Sequence, residues 1–520
     1  MEVTLLNNIL SEINTDTLAI SLVLIILFTL LTAAFAVAAV FVIGKYHTVS
    51  DENTLTVGKL KTVYMLAIVL VVGLAVRLLL TFTVNGYGYS YQTVYDIANN
   101  VMKVNSGFNG YTTGFIGVAP IMGYLYALFG GFGVTAGVGA DDIAMQFFVK
   151  FPYLLADIAM LFIVYFIARK YVNRYVSLTL AGLYYLSPLS FVMSSMWGSE
   201  YAVLVPALVL TFYFLLTKNI FGATVGMSLS CLLNADAVIL APIVGVYVVY
   251  AFVKSIIKIV KTKPSFDMIF KDSSLYNVIY VPLCVLLGVA LMYLLALPAY
   301  FADGVIGFGA VMEQLLIKPF LYSSGEGALY FFSENALSVY TIFMQNYSVL
   351  GSKFPTVAFA GIFALLVAVV TAVIFIMRRN RANLLLLASY LAFTVSVYFM
   401  GAGEWTIVPS LALMLIGFAV VKDKRLLKVF TVMSVFVVLN AMLVMLGGDQ
   451  IGTTLVPDYF SLATNAGLNV FSILLSVLTV LVHIYFTVVA LDITLTKNRK
   501  VFLTDTSSSF GEIIRHTVRG

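Results

Sequence analysis

Three ionisable side chains lie inside apolar runs, where an unpaired charge is costly. Arg77 stands about two-thirds of the way along one run, and Lys150 and Asp157 share another. A buried guanidinium needs either an anion, such as a lipid phosphate, or a structural partner. Lys150, near the end of its run, suits a phosphate contact or an interfacial anchor. Asp157 is seven residues further on, on the same helix face, and needs a partner such as a polar contact between helices.

Two further carboxylates stand in short turns between apolar runs. Glu200 follows Trp197-Gly198-Ser199, and Glu404 follows Gly401-Ala402-Gly403. Glu200 has the chemistry of a general acid or base, or of a metal ligand. The alternative is a loop carboxylate beside a tryptophan anchored at the membrane interface. Glu404 is either catalytic or a helix-start carboxylate favoured by the helix dipole.

The chain that positions these residues is typical of a polytopic membrane protein. Of its 520 residues, 62% are hydrophobic and 10% are charged, too few charges to cover a soluble domain. About thirteen apolar runs have the length of a membrane span. The predicted spans are 18–44, 62–84, 147–168, 175–195, 202–217, 220–233, 238–253, 275–299, 355–378, 382–400, 405–422, 427–446 and 469–494.

The basic residues predict the orientation of the spans. When the spans are threaded in order, 24 of the 29 Lys and Arg residues fall on one side. The sequence therefore predicts a multi-pass protein of the cell membrane with its N-terminus outside and its C-terminus in the cytoplasm. The net charge of +5 does not indicate a nucleic-acid partner, because the basic residues sit in short loops between spans.

The predicted organisation is one integral membrane unit in four parts. They are an extra N-terminal span and cytoplasmic loop (1–61), a core with long outer loops at 85–146 and 300–354 (62–422), C-terminal spans (423–496) and a cytoplasmic tail (497–520). Segment 114–134 is apolar but interrupted by glycines, so we expect an interfacial or re-entrant element. Asn234-Ala235-Asp236 predicts a break between two short apolar pieces.

Several signatures of other classes are absent from the sequence. It contains no Walker motif, nucleophile elbow or dinucleotide fingerprint, so ATP-driven transport by this chain alone is not expected. Cys231 and Cys284 both fall inside predicted spans and are expected to be apolar core residues. His47, His483 and His516 are far apart, and no zinc pattern exists.

Read in order, a series of short motifs resembles the GT-C superfamily of multispanning glycosyltransferases, its bacterial mannosyltransferase-like members above all. These enzymes use polyprenyl-phosphate sugars on the outer face. The motifs that carry the resemblance are Arg77 before Gly86-Tyr87-Gly88-Tyr89-Ser90, Lys150-Phe-Pro-Tyr-Leu-Leu-Ala-Asp157, Ser187-Pro188 before Ser195-Met196-Trp197-Gly198, Asn234-Ala235-Asp236 before Pro242, Gln345-Asn346-Tyr347-Ser348, and Met400-Gly-Ala-Gly-Glu404-Trp405.

The resemblance implies an all-α, GT-C-like fold whose outer loops carry interfacial helices. It also implies sugar transfer from a polyprenyl-phosphate donor to a glycan or protein acceptor. Such transfer needs a base to deprotonate the acceptor and cations to stabilise the leaving phosphate, and a divalent cation, Mg²⁺ or Mn²⁺, is one option for the second role. Asp96 is the candidate base, with Glu200 and Glu404 next. The candidate phosphate contacts are Arg77 and Lys150. The candidate groove residues are Tyr87, Tyr89, Ser90, Tyr91, Trp197 and Asn346, although interfacial packing explains the tyrosines equally well.

The departures from the family pattern keep two alternatives open. Ser90 stands where the family has its catalytic aspartate, and Asp96, six residues later, is the nearest substitute. The His and Arg that flank the family's glutamate are missing around Glu404. These losses favour an inactive GT-C-like scaffold or accessory subunit that binds a lipid-linked glycan or a partner membrane protein. The second alternative is a secondary transporter or lipid flippase, supported by the break at Asn234 and the buried Asp157.

Overall fold

The computed structural model describes residues 15–46, 57–84, 95, 98, 119–139, 142–265, 269–270, 272–300, 305–317, 333–343, 382–446 and 470–495. In this part of the chain the fold is all-α apart from one pair of two-residue strands. The helices are α1 (Thr15–Tyr46), α2 (Val57–Thr83), α3 (Pro120–Thr135), α4 (Ile143–Ala168), α5 (Arg174–Tyr185), α6 (Pro188–Phe191), α7 (Tyr201–Leu216), α8 (Ile220–Leu233), α9 (Ala241–Thr262), α10 (Ser273–Tyr300), α11 (Phe308–Leu316), α12 (Val339–Phe343), α13 (Ala382–Tyr398), α14 (Val408–Val421), α15 (Lys424–Leu446) and α16 (Val470–Leu495). A π-helical turn (Val192–Trp197) continues α6, a 3₁₀ turn (Ala235–Leu240) precedes α9, and the strands are β1 (Ser333–Glu334) and β2 (Ala402–Gly403).

Eight helices in the described ranges are long and apolar enough to cross a membrane. Four shorter apolar helices, α7, α8, α13 and α14, complete the set. A multi-pass helical membrane protein is therefore confirmed. Twelve of the thirteen predicted spans coincide with a described helix, and the other, 355–378, lies outside the described residues.

The helices divide into a buried centre and an exposed periphery. In lipid every backbone amide and carbonyl must be satisfied within the protein, so the apolar runs fold as helices. The segment from α5 to the π-helical turn is 83% buried, and α14 is enclosed along almost its whole length. By contrast, only 11% of α2 is buried, and its exposed Val, Ile and Leu side chains have the character of a lipid-facing surface.

Glycines allow several helices to approach closely, as is typical of membrane bundles. A Cβ added to Gly133 of α3 would lie 2.9 Å from the Met145 Sδ atom of α4. One added to Gly288 of α10 would lie 2.9 Å from the Ser228 Oγ atom of α8. Within 114–134, α3 runs through its glycines as one regular helix of 16 residues, and it is not among the eight helices long enough to span; an interfacial or re-entrant position stays a prediction. Gly133 gives α3 its close approach to α4.

The predicted break between α8 and α9 is confirmed. Asn234 leaves the helix in an extended conformation, with φ −162° and ψ 134°. Its side-chain oxygen then accepts a hydrogen bond from the Asp236 backbone N–H at 2.9 Å, which starts the 3₁₀ turn. The two cysteines are also as predicted, because Cys231 and Cys284 are buried and unbonded to each other.

Polar contacts join α15 to α16 at one end and to the residue after β1 further along the helix. At one end Arg425 of α15 binds Asp423 at 2.8 Å and Asp492 of α16 at 2.6 Å. At the other end, the Asn440 side chain donates to the Asn335 carbonyl at 2.8 Å. Asn335 directly follows β1, which pairs in parallel with β2. This pairing holds the turn between α13 and α14.

Candidate functional site

Arg77 is fully buried and bound within the protein by a set of contacts we call the arginine clamp, formed by Gly73, Arg77, Asp157, Tyr185 and Ser190. Its Nε donates to Asp157 Oδ2 at 2.8 Å. One terminal nitrogen donates to the Tyr185 carbonyl and to Ser190 Oγ, both at 2.8 Å, and the other to the Gly73 carbonyl at 3.2 Å. The guanidinium also stacks over the Tyr185 ring at 3.9 Å. The structural partner, one of the two alternatives for Arg77, is therefore present, and it is the partner that Asp157 required.

Lys150 lies near the start of α4 and touches the turn that carries Glu200. Its ammonium group donates to the Val84 carbonyl, just beyond the end of α2, at 2.8 Å. The neighbouring turn bends at Gly198, whose φ of +78° is in the left-handed region that favours glycine. A Cβ at Gly198 would lie 3.5 Å from the Tyr153 ring and 3.8 Å from the Lys150 Cγ atom. The predicted tight turn after Trp197 is thus confirmed and packs directly on α4.

The Glu200 carboxylate ends a short chain of tyrosine hydroxyls. Tyr126 of α3 donates to Glu200 Oε1 at 3.1 Å, and the Tyr126 and Tyr153 hydroxyls lie 2.6 Å apart. Tyr126 and Tyr153 are almost completely buried, whereas Glu200 is half-buried. The chain of three groups therefore connects the interior between α3 and α4 to the start of α7.

A second tyrosine–carboxylate pair lies beside the first. Tyr201, the residue after Glu200, donates its hydroxyl to Asp236 Oδ2 at the helix break. The Tyr201 oxygen is also 3.3 Å from Thr406 Oγ1 at the start of α14. Tyr201, Asp236 and Thr406 together line a cavity of about 20 Å³, which has room for about one water molecule.

Glu404 approaches the same place from the turn between α13 and α14. The turn is held by the β1–β2 pair and by the hydrogen bond from the Gly403 N–H to Thr406 Oγ1 at 2.9 Å. The next residue, Trp405, packs edge-to-face against Trp197 with ring centroids 5.4 Å apart. These are the two tryptophans of the chain, and both are buried. We call Glu200, Asp236 and Glu404, with Tyr126, Tyr201 and Thr406, the acidic site.

Burial changes the acid–base behaviour of the two glutamates. Desolvation raises the pKa of Glu404 to about 7. Desolvation also raises the pKa of Glu200 to about 7, although the Tyr126 hydrogen bond lowers it and the nearby Asp236 carboxylate raises it. Both groups therefore change charge near neutral pH, the range in which a general acid or base is most effective.

The predicted site residues fall into three groups. Lys150, Trp197 and Glu200 lie at one end of the bundle, where Trp197 also contacts Trp405 of the turn that carries Glu404; the catalytic and binding roles of all four stay predictions. Arg77 is instead held in the arginine clamp within the span. The other six candidates lie outside the described residues, and their roles stay predictions: Tyr87, Tyr89, Ser90, Tyr91, Asp96 and Asn346.

Sequence reasoning did not select the partners of the carboxylates. The sequence near Tyr201 and Asp236 could have drawn attention to them, because Tyr201 is adjacent to Glu200 and Asp236 follows the helix break. Nothing in the sequence around Tyr126 marks it as a partner of Glu200, because it lies in a Gly-rich apolar run. Within the described ranges, no group of three or more His, Cys, Asp or Glu residues is arranged to hold a metal ion.

Comparison of the chain with protein-family models gave no match, and comparison with curated proteins gave none either.

Proposed function

We propose that this protein is a membrane glycosyltransferase that moves a sugar from a polyprenyl-phosphate donor to an acceptor on the outer face. The observation that carries the proposal is a pair of glutamates, Glu200 and Glu404, each with a pKa of about 7, on two turns that the Trp197–Trp405 contact joins. The stem of Lys150 packs against Gly198 in the first of these turns. A carboxylate that titrates near neutrality can take the proton of an acceptor hydroxyl. A lysine at the same end of the bundle can bind the phosphate of the donor.

The proposal assigns a role to each part of this end of the bundle. Among the described residues Glu404 has no side-chain hydrogen bond to another residue, so we place the acceptor hydroxyl at Glu404. Glu200 is held by Tyr126, which fixes its position and suits it to bind a sugar hydroxyl. Asp96 stays a candidate base of equal standing. The GT-C-like arrangement, the thirteen spans and an outside N-terminus belong to the same proposal.

Transfer assays on purified protein in nanodiscs test the proposal. Wild type, Asp96→Asn, Glu200→Gln and Glu404→Gln are compared on a panel of polyprenyl-phosphate sugars with a pooled acceptor extract. Loss of the true base lowers kcat by about 10²–10⁴-fold. Glu313→Gln, an exposed carboxylate on α11, is the matched control and leaves transfer unchanged. If all three variants, Asp96→Asn, Glu200→Gln and Glu404→Gln, transfer sugar at the wild-type rate, the assignment of the base is contradicted.

A non-catalytic scaffold is the second candidate. The observation that favours it is the capping of carboxylates by tyrosines, since Tyr126 binds Glu200 and Tyr201 binds Asp236. Absence of transfer by wild type, with retained binding of the polyprenyl-phosphate sugar, would assign this role. Absence of both transfer and binding would leave transport as the hypothesis to test, on account of the helix break at Asn234.

A further inference from the structure

Lysines follow one face of α9 at the end that is opposite the helix break. Lys254, Lys258 and Lys261 stand at positions i, i+4 and i+7, which lie on one side of an α-helix, and we call them the lysine stripe. Lys254 and Lys261 are exposed, and Lys258 forms an ion pair with Asp272 at 2.5 Å. From 254 to 272 the sequence carries five lysines and two aspartates, so this end of α9 has a local net charge of +3.

An exposed apolar stripe runs beside the lysines. It consists of Val249, Val253, Ile257 and Val260, at positions i, i+4, i+8 and i+11, and between 43% and 67% of each side chain is exposed. The first two precede Lys254, and the other two alternate with the lysines along the helix. The apolar stripe therefore continues from the lipid-facing part of α9 to the level of the charges.

A contact with α10 fixes the direction in which both stripes point. The buried Ser255 Oγ atom donates to the Leu275 carbonyl at 2.9 Å, so this side of α9 faces α10. Successive residues are about 100° apart around a helix with 3.6 residues per turn. The apolar stripe therefore faces away from α10, and the lysine stripe lies between the apolar stripe and the α9–α10 contact.

Two further observations indicate that the lysine stripe lies at the level of the lipid headgroups. Asp236 and Lys254 bracket an apolar stretch that is about 27 Å long at 1.5 Å per residue, close to the hydrocarbon thickness of about 30 Å. Beside Leu275, the rings of Phe270, Tyr276 and Tyr280 form a ladder with centroids 6.0 and 5.7 Å apart. Tyrosines are enriched at the boundary between membrane and water.

From these observations we propose that this end of α9 binds an anionic phospholipid of the bilayer. Its phosphate lies on the lysine stripe, and an acyl chain lies along the apolar stripe. This inference goes beyond glycosyl transfer and does not depend on it. A zwitterionic lipid carries its own ammonium group and gains less from the lysines. An acidic peptide or a free anion would pair with the lysines but would leave the apolar stripe uncovered.

Lipid competition on the purified full-length protein tests the proposal. The protein in detergent is titrated with equal amounts of phosphatidylglycerol and phosphatidylcholine that have the same acyl chains, and native mass spectrometry counts the bound lipids. Because each lysine near a membrane surface favours an anionic lipid by about fivefold, we expect phosphatidylglycerol to be retained about tenfold more than phosphatidylcholine. Raising the ionic strength should reduce this preference.

Paired lysine substitutions identify the site. Lys254→Gln with Lys261→Gln should bring retention of the two lipids close to equality, a loss of about tenfold in preference. Lys218→Gln with Lys428→Gln is the matched control, because it removes two exposed lysines beside other helices and should keep the wild-type preference. Lys254→Arg with Lys261→Arg keeps the charge and should also keep the preference, which separates loss of charge from loss of folding.

The apolar stripe is tested by Val253→Thr with Val260→Thr, which keeps the side-chain shape and should lower retention of both lipids severalfold. Equal retention of the two lipids by wild type overturns the proposal. An equal loss of preference in the Lys254, Lys261 pair and in its control also overturns it, because the lysines would then act only through net charge. Displacement of bound phosphatidylglycerol by inorganic phosphate, or unchanged retention in the threonine variant, would mean that no acyl chain is held and overturns it too. Sugar transfer is not read in these experiments.

Discussion

The arginine clamp and the acidic site are two buried polar regions that manage charge in opposite ways. In the clamp, one cation and one anion lie within 2.8 Å, and the remaining guanidinium donors bind two backbone carbonyls and one hydroxyl. In the acidic site, three carboxylates lie near one another, and none of them pairs with a cation in the described ranges. Tyrosine hydroxyls are the partners of two of them.

The difference indicates that the arginine clamp has a structural role and that the acidic site has the capacity to bind a ligand. The ion pair of the clamp joins helices, and every nitrogen of its guanidinium already donates a hydrogen bond. Its Asp157 Oδ1 atom is buried without a hydrogen-bond partner among the described residues, next to the Arg77 charge that balances the carboxylate. Carboxylates that are poorly solvated and paired only with hydroxyls can bind or release a proton near neutral pH, and they can also bind a ligand. Arg77 would have to exchange an existing hydrogen bond to contact a phosphate, whereas Glu404 has no such bond to another side chain in the ranges that the structure describes.

The largest effect is expected from removing one charge of the arginine clamp. Asp157→Leu leaves Arg77 buried without its anion and should lower the unfolding free energy by about 3–5 kcal/mol. We expect little folded protein after detergent extraction, measured as the monodisperse fraction in size-exclusion chromatography and as the melting temperature.

The double variant Arg77→Met, Asp157→Leu is the control for that loss. It removes both charges and replaces them with apolar side chains, so it should recover much of the stability lost by Asp157→Leu alone. A double variant that is as unstable as the single one would contradict the interpretation of the clamp as a charge-compensated pair. The stacking of Arg77 on Tyr185 would then dominate.

The second effect is the pH dependence of the acidic site. The folded-state pKa of Glu404, about 7, lies above its ordinary value of 4.5, because burial disfavours the charged form. The folded state therefore holds a proton that the unfolded state releases between these values. Stability from this group is complete below pH 4.5 and falls as the pH rises through 7, by roughly 2–3 kcal/mol.

Glu404→Gln should flatten this fall. Its melting temperature is expected to be near that of wild type at pH 5 and above it at pH 8, in matched buffers of one ionic strength. Glu313→Gln, whose carboxylate is exposed, should follow wild type at both values. Equal pH profiles for wild type and Glu404→Gln would mean that Glu404 is solvated, and would remove one basis of the comparison.

A third effect concerns the space around the clamp. A Cβ at Gly73 would lie 2.3 Å from the Tyr185 ring and 3.1 Å from an Arg77 nitrogen. Gly73→Ala should therefore displace the ring and lower the unfolding free energy by about 1–3 kcal/mol. Gly245→Ala is the matched control, since an added Cβ there meets no atom within 4 Å. Equal melting temperatures for the two variants would contradict a tightly packed clamp.

The sequence predicted the helices, because they depend on local pattern. Long apolar runs identify helices, and alternation of the spans brings every second loop to the same side. The pairing of Arg77 with Asp157 was left open, since it depends on how two helices 80 residues apart in the chain are rotated toward each other. That rotation is set by packing, to which Gly73 contributes.

The acidic site was predicted only in part for a similar reason. Glu200 and Glu404 stood out as charges beside Trp and Gly in short turns. Tyr126 is one aromatic residue among many in an apolar run, and only the close approach of α3 to α4 brings its hydroxyl to Glu200. Composition carries no signal for such a contact. The tyrosine chain had to be found in three dimensions.

The smallest effect tests whether that tyrosine chain matters to Glu200. Tyr126→Phe removes one hydrogen bond and should lower the unfolding free energy by only about 0.5–1.5 kcal/mol. Because the hydrogen bond from Tyr126 lowers the pKa of Glu200, its loss should raise that pKa further above 7. The pH titration of tryptophan fluorescence should then move to higher pH, while Tyr124→Phe, which loses a hydrogen bond to the Leu295 carbonyl instead, should leave it in place. A shift of equal size in both variants would mean that the fluorescence follows general loosening of α3, and that Tyr126 is a packing residue and not part of the acidic site.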